Sequence, residues 1–185
     1  MSNRKQEILQ TAIEIIADEG YAGLSMRALA RASGMKLGAL QYHFRTTEDM
    51  LRELVAYIAV EYAKAFDALR ADGDALSVRD IAMFVLDDVA GEPLQSDRLW
   101  PQLWAMQQVE PLVADLVDDV YAQYLSVIQQ ALKDAGSDSS IAEALCLMSM
   151  LEGGTLFTGN GRRWESEKHA VRDTALAFID ARYPC

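Results

Sequence analysis

Leu24-Ser-Met-Arg-Ala-Leu-Ala-Arg-Ala-Ser-Gly34-Met-Lys-Leu-Gly-Ala-Leu-Gln-Tyr-His-Phe44 reads as two short helices joined by a tight turn. Ser25 stands where an N-cap is wanted, its hydroxyl able to take up a free amide of the first turn. Met26, Leu29, Ala30 and Ala32 follow with apolar groups at helical spacing, while Arg27 and Arg31, four apart, share the outer face. Gly34 can adopt the left-handed conformation that stops one helix and redirects the chain into the next. Beyond it Leu37, Leu40 and Phe44 are expected to point inward.

The outer face of the second helix carries a cation, an amide, a phenol and an imidazole: Lys36, Gln41, Tyr42 and His43. Gly38 and Ala39 are small enough to let a groove approach the backbone. A glutamine amide can pair with adenine through two hydrogen bonds, and an alanine methyl can touch a thymine methyl. Lys36 and Arg45 flank the helix where phosphates would lie. An ordinary solvated surface helix would offer a similar set of polar groups, and the segment alone leaves both readings open.

From Ile8 to Leu51 the chain resembles the N-terminal domain of the TetR/AcrR family of transcription regulators. The resemblance rests on Ile8, Ala12, Gly20-Tyr21, Ser25-Met26-Arg27, Leu29-Ala30, Ser33-Gly34-Met35, Gly38-Ala39-Leu40, His43-Phe44 and Glu48-Asp49-Met50-Leu51, in order and without a gap. The chain departs from the family pattern at Gln41, where tyrosine is usual, and at Thr47, where lysine is usual. The resemblance implies an all-α protein: a three-helix helix-turn-helix domain over 1–47 and a helical ligand-binding and dimerisation body of about six helices over 48–185. It also implies DNA contacts from Ser25, Met26, Arg27, Lys36, Leu37, Gly38, Ala39, Gln41, Tyr42, His43, Arg45 and Thr47.

The 185 residues carry a formal net charge of -11, an unexpected balance for a DNA binder. Residues 1–48 hold six Lys/Arg against five Asp/Glu, so the excess acid belongs to the remainder. Screening confines phosphate attraction to about 8 Å at physiological salt, so the local balance of the head governs binding. No uninterrupted run of about 18 apolar residues occurs, and no membrane span is expected. The N-terminus has no signal-peptide core. Cys146 and Cys185 make no disulfide framework, as expected of a cytoplasmic protein. His43 and His169 fall in separate domains, and no metal-ligand spacing occurs. These features argue against an enzyme, a metal site or a cofactor.

Nearly every segment reads as helix. The spacing predicts helices over roughly 3–19, 48–71, 78–90, 97–109, 111–134, 141–157 and 167–182, besides the two of the opening stretch. Thr46 or Thr47 should cap the second long helix, Thr46-x-x-Asp49 having the form of a capping box. Asp72-Gly73-Asp74 marks a break, Ser77-Val-Arg-Asp80 a second capping box, Gly91-Glu92-Pro93 a stop, and Ser166 the cap of the last helix. Pro101 should lie near a helix start.

The middle of the body concentrates aromatic and sulfur side chains. Met83, Phe84, Trp100, Trp104, Gln107, Tyr121, Tyr124 and Glu152 are candidates for a small-molecule effector site, with core packing the alternative for the apolar ones. The helix over 141–157 is apolar nearly all round, with Ala142, Ala144, Leu145, Cys146, Leu147, Ser149, Gly153 and Gly154. A helix of that kind must be covered by something. In the family this helix and the next, here with Ala170, Val171, Thr174, Ala175, Phe178 and Ile179, meet a second copy. The chain is therefore expected to be a ligand-responsive homodimeric repressor that binds a palindromic DNA operator. The alternative is a helical interaction module that has lost sequence-specific DNA binding.

Overall fold

The computed structural model describes residues 3–70, 76–87, 94, 96–138 and 140–183. The described residues are helical with no strand. Their α-helices are α1 (Asn3–Glu19), α2 (Met26–Ala32), α3 (Leu37–His43), α4 (Thr47–Arg70), α5 (Val78–Leu86), α6 (Ser96–Met106), α7 (Pro111–Asp134), α8 (Ser140–Thr158) and α9 (Lys168–Arg182). The all-α architecture agrees with the sequence expectation. Asp72-Gly73-Asp74, Gly91-Glu92-Pro93 and Cys185 lie outside the described residues.

Two compact units emerge, one of Met1–Lys64 with Ala90–Asp118 and the other of Ala65–Val89 with Asp119–Cys185. In the first, Ile8, Leu9, Ala12, Ile13, Ile16, Leu29, Leu40, Phe44, Met50, Leu54 and Ile58 are buried. The buried positions recur every three or four residues along α1 and α4, so each helix turns one stripe inward, and α1 packs against α2, which in turn packs against α3. α6 lies on the end of α1, where Arg98 pairs with Asp18 and Tyr21 Oη donates to Glu110 Oε2 at 3.3 Å. Tyr62 of α4 sits against Trp100 of α6, ring centroids 5.4 Å apart.

The second unit is centred on Phe66, Phe84 and Tyr124, all buried, with Phe66 and Tyr124 in edge contact at 4.6 Å. α9 buries Ala175, Leu176 and Ile179 and is bordered by ion pairs. Arg172 forks onto Asp87, Arg79 pairs with Asp180, and Arg182 pairs with Glu143 of α8.

Local chemistry sets most helix ends. Thr46 caps α4: Asp49 N donates to Thr46 Oγ1 at 3.0 Å and Thr46 N to Asp49 Oδ2 at 3.2 Å. Ser77 and Asp80 form the second capping box. Three details differ from the sequence expectation. Pro101 lies inside α6, and a 3-10 turn, Tyr21–Gly23, follows Gly20. The last helix starts at Lys168, after the 3-10 turn Glu165–Glu167 that contains Ser166, and no side chain caps it.

By length and mean hydropathy alone, α8 is long and apolar enough to cross a bilayer, 19 residues at 1.2. Serines, two glycines and two glutamates interrupt its apolar run.

Candidate nucleic-acid interface

The candidate interface is built on the turn between α2 and α3. Ser25 Oγ accepts from Ala28 N at 3.2 Å, fixing where α2 starts. Gly34, at φ 65°, ends it. Gly34 N donates to Arg31 O at 3.1 Å and Met35 N to Ala30 O at 2.8 Å, the paired bonds of a helix stop with a left-handed residue. Any residue with a Cβ would be strained at Gly34, so the sharp approach to α3 is written into one position.

α3 then presents two different faces. Leu40 and the following Phe44 are buried, anchoring the helix to the core. Lys36, Gly38, Ala39, Gln41 and Arg45 are exposed, and Tyr42 is 88% exposed. A phenol ring standing that far out loses the apolar burial it would gain inside. His43 is half-buried and meets Tyr42 edge-on, with centroids 5.7 Å apart.

Of the other sequence candidates, Arg27, Ser25 and Thr47 are exposed while Met26 and Leu37 are half-buried. Ala32, expected on the apolar face, is exposed. Beside α3 opens a groove of about 480 Å³ lined by Tyr42, His43, Arg45, Asp49, Arg52 and Glu53 among others. Arg52 was not a candidate from sequence. It sits one turn into α4, paired with Glu48 at 2.7 Å, and only the docking of α4 beside α3 brings it to the groove.

The effector candidates fall in both units. Trp100 is buried against Tyr62, with Trp104 6.4 Å away and half-buried. Phe84 and Tyr124 are buried in the aromatic centre of the second unit, with Tyr121 half-buried beside Tyr124. Met83, Gln107 and Glu152 are half-buried.

The last two helices leave much apolar surface uncovered. Ile141, Leu145, Met150, Leu156 and Phe157 of α8 are exposed, as are Val171 and Phe178 of α9, Phe178 by 64%. Ala142, Cys146, Ser149, Ala170 and Thr174 are exposed on the same helices, whereas Ala144, Ala175 and Ile179 are buried within the unit.

Residues 8–54 match the model of bacterial regulatory proteins, tetR family. The chain is 26% identical to the HTH-type transcriptional regulator LmrA of Bacillus subtilis over 165 residues, covering 83% of this chain and 85% of that protein. It is 29% identical to the HTH-type transcriptional regulator AcrR of Shigella flexneri over 96 residues, 48% of this chain and only 42% of that protein. A crystal structure of a Rhodococcus sp. protein assigned to the TetR family of transcriptional regulators superposes with a TM-score of 0.75. The two share 25% identity over 97% of this chain and 98% of that one.

Proposed function

We propose, from the premise that the chain is a TetR-family transcriptional regulator, that it represses transcription as a homodimer on a palindromic operator and is released by a small-molecule effector. The observation that carries this reading is the two-faced α3. Leu40 and Phe44 fix it to the core, and Gln41 and Tyr42 stand in solvent beside the small Gly38 and Ala39. Such a helix can enter a major groove with its backbone close to base edges. In this reading Lys36 and Arg45 meet phosphates, and the exposed Ser25, Arg27 and Thr47 supply further backbone contacts. The DNA-binding domain is residues 1–47, and 48–185 is the effector and dimer body.

The homodimer reading is supported by Leu145, Phe157 and Phe178, large apolar groups left in water on α8 and α9. A second copy, not a bilayer, covers this face, since Glu143 is engaged by Arg182 and Tyr183 at its edge. Two-fold pairing would set two α3 helices about one DNA turn apart, roughly 34–36 Å, and so select an inverted repeat. An effector held by the aromatic side chains of the body would act by binding better to a conformation with the heads misspaced, commonly worth about 1–3 kcal/mol.

Selection from a random duplex pool tests the reading. Enrichment of an inverted repeat supports it. Failure to enrich any sequence would favour a helical interaction module instead.

A further inference from the structure

We infer that Arg4 and Lys5, the first two cations of the chain, are positioning residues that hold the reading helix from behind and are not phosphate contacts. The inference rests on the DNA-reading role proposed for α3. From sequence, both count toward the basic footprint of the head. In the fold they are turned to other work.

Arg4 Nη2 donates to the carbonyl of Ser33 at 2.9 Å, while Nη1 pairs with Glu7 Oε2 at 2.8 Å. Ser33 is the C-cap of α2. Carbonyls at a helix C-terminus lack intrahelical partners, and a guanidinium there satisfies one of them and suits the negative end of the helix dipole. The bond spans 29 residues and reaches the turn that aims α3.

Lys5 acts at the other end of α3. Its Nζ lies 5.4 Å from the centroid of Phe44, the C-cap of α3, and 2.8 Å from Glu53 Oε1 of α4. A cation over an aromatic face is attracted by the ring quadrupole, more so when water is partly excluded. The first turn of α1 therefore grips residue 33 before α3 and residue 44 after it. Between those points lie all the exposed groups of the candidate reading surface from Lys36 to Tyr42.

Salt dependence separates positioning from phosphate contact. Each lost cation that neutralises a phosphate lowers the slope of log affinity against log salt by about 0.9, so a substitution in both protomers of a homodimer lowers it by about 1.8. Titrating wild type and Arg4→Met against the selected operator and a scrambled duplex at several salt concentrations reads both quantities. The expected result is an operator affinity about tenfold lower, because a loosened turn must be ordered again when α3 enters the groove. The slope should be unchanged and the operator-to-scrambled ratio reduced. Arg4→Lys, which keeps a donor for Ser33, should recover most of the ratio. A slope lowered by about 1.8, one phosphate for each protomer, with the ratio intact, or no change at all, overturns the assignment. Equal losses on both duplexes with the slope unchanged mean a merely structural role and also overturn it.

Hydrogen exchange of the free protein gives an arm that needs no DNA. The amides of Gly34 and Met35, bonded to Arg31 and Ala30, should exchange faster in Arg4→Met, and that of Phe44 faster in Lys5→Met. Unchanged exchange there counts against the inference. Wild type that selects no sequence counts against the proposed function, and exchange then still decides whether α1 holds the turn.

Discussion

Arg172 of α9 grips Asp87 at the end of α5 with two parallel bonds, Nε to Oδ1 at 2.7 Å and Nη2 to Oδ2 at 2.8 Å. The fork matches guanidinium to carboxylate and joins residues 85 apart in sequence. The hydrogen bonds from Arg172 are the main reason that the Asp87 carboxyl is held below its ordinary value of 3.8. Glu143, held by Ser137, Tyr183 and Arg182, is lowered in the same sense.

A folded-state value below the unfolded one means the contribution is present above the unfolded value and lost as pH falls through the folded one. Stability of the second unit should therefore decline below about pH 4, the unfolded carboxylate range. Asp87→Asn should be less stable at neutral pH and should lose part of that acid dependence. Urea unfolding at pH 7 and at pH 3 checks both effects.

Tyr21 gives the opposite sign. Burial, then the Glu110 carboxylate, raises its phenol above the ordinary 10.0. Its contribution is intact below about pH 10 and lost as pH rises through the folded value. Tyr21→Phe should cost roughly 1 kcal/mol near neutrality through the missing hydrogen bond. It should also flatten the alkaline loss of stability, read by thermal melts between neutral and strongly alkaline pH.

Truncating Leu40, which is fully buried, should cost about 2–5 kcal/mol as Leu40→Ala, because the core contacts are lost and a cavity remains. Tyr42→Ala, at 88% exposure, should leave stability within about 0.5 kcal/mol while weakening DNA binding. Denaturant titration beside a mobility-shift titration separates the two effects. A Tyr42→Ala protein that unfolds easily would put the ring in the core.

Phe178→Glu places a charge on the uncovered face of α9. If a second copy covers that face, the variant should be monomeric at concentrations where wild type is dimeric, with dimerisation more than about tenfold weaker. Light scattering over a dilution series measures it. Equal masses for the two proteins would remove α9 from the interface.

The parts of the molecule visible in sequence are those fixed by near neighbours. Gly20 closes α1 at Glu19, Pro111 opens α7, and Thr46 and Ser77 cap their helices as side-chain spacing predicted. The turn at Gly34 and the outward set around Tyr42 could be read the same way, because helical period and one glycine determine them. Contacts between distant residues could not. Nothing local says that Arg4 will meet Ser33, that Lys5 will meet Phe44, or that Arg52 will flank Tyr42. Ser166 has the chemistry of a cap, yet it sits within a 3-10 turn that precedes α9, and Glu167 takes the N-cap position. The aromatic residues of the body show the same limit. Composition made Trp100 and Tyr124 candidates for a ligand, and each is buried against neighbouring rings.

The central claim, that α3 reads bases through its exposed face, is tested most directly by random-pool selection run in parallel on wild type and Gln41→Ala. The account predicts that wild type enriches an inverted repeat with half-sites about one turn apart. In Gln41→Ala, preference should relax at the same symmetric position in both half-sites. Identical base preferences for the two proteins, or no enrichment by wild type, would contradict it.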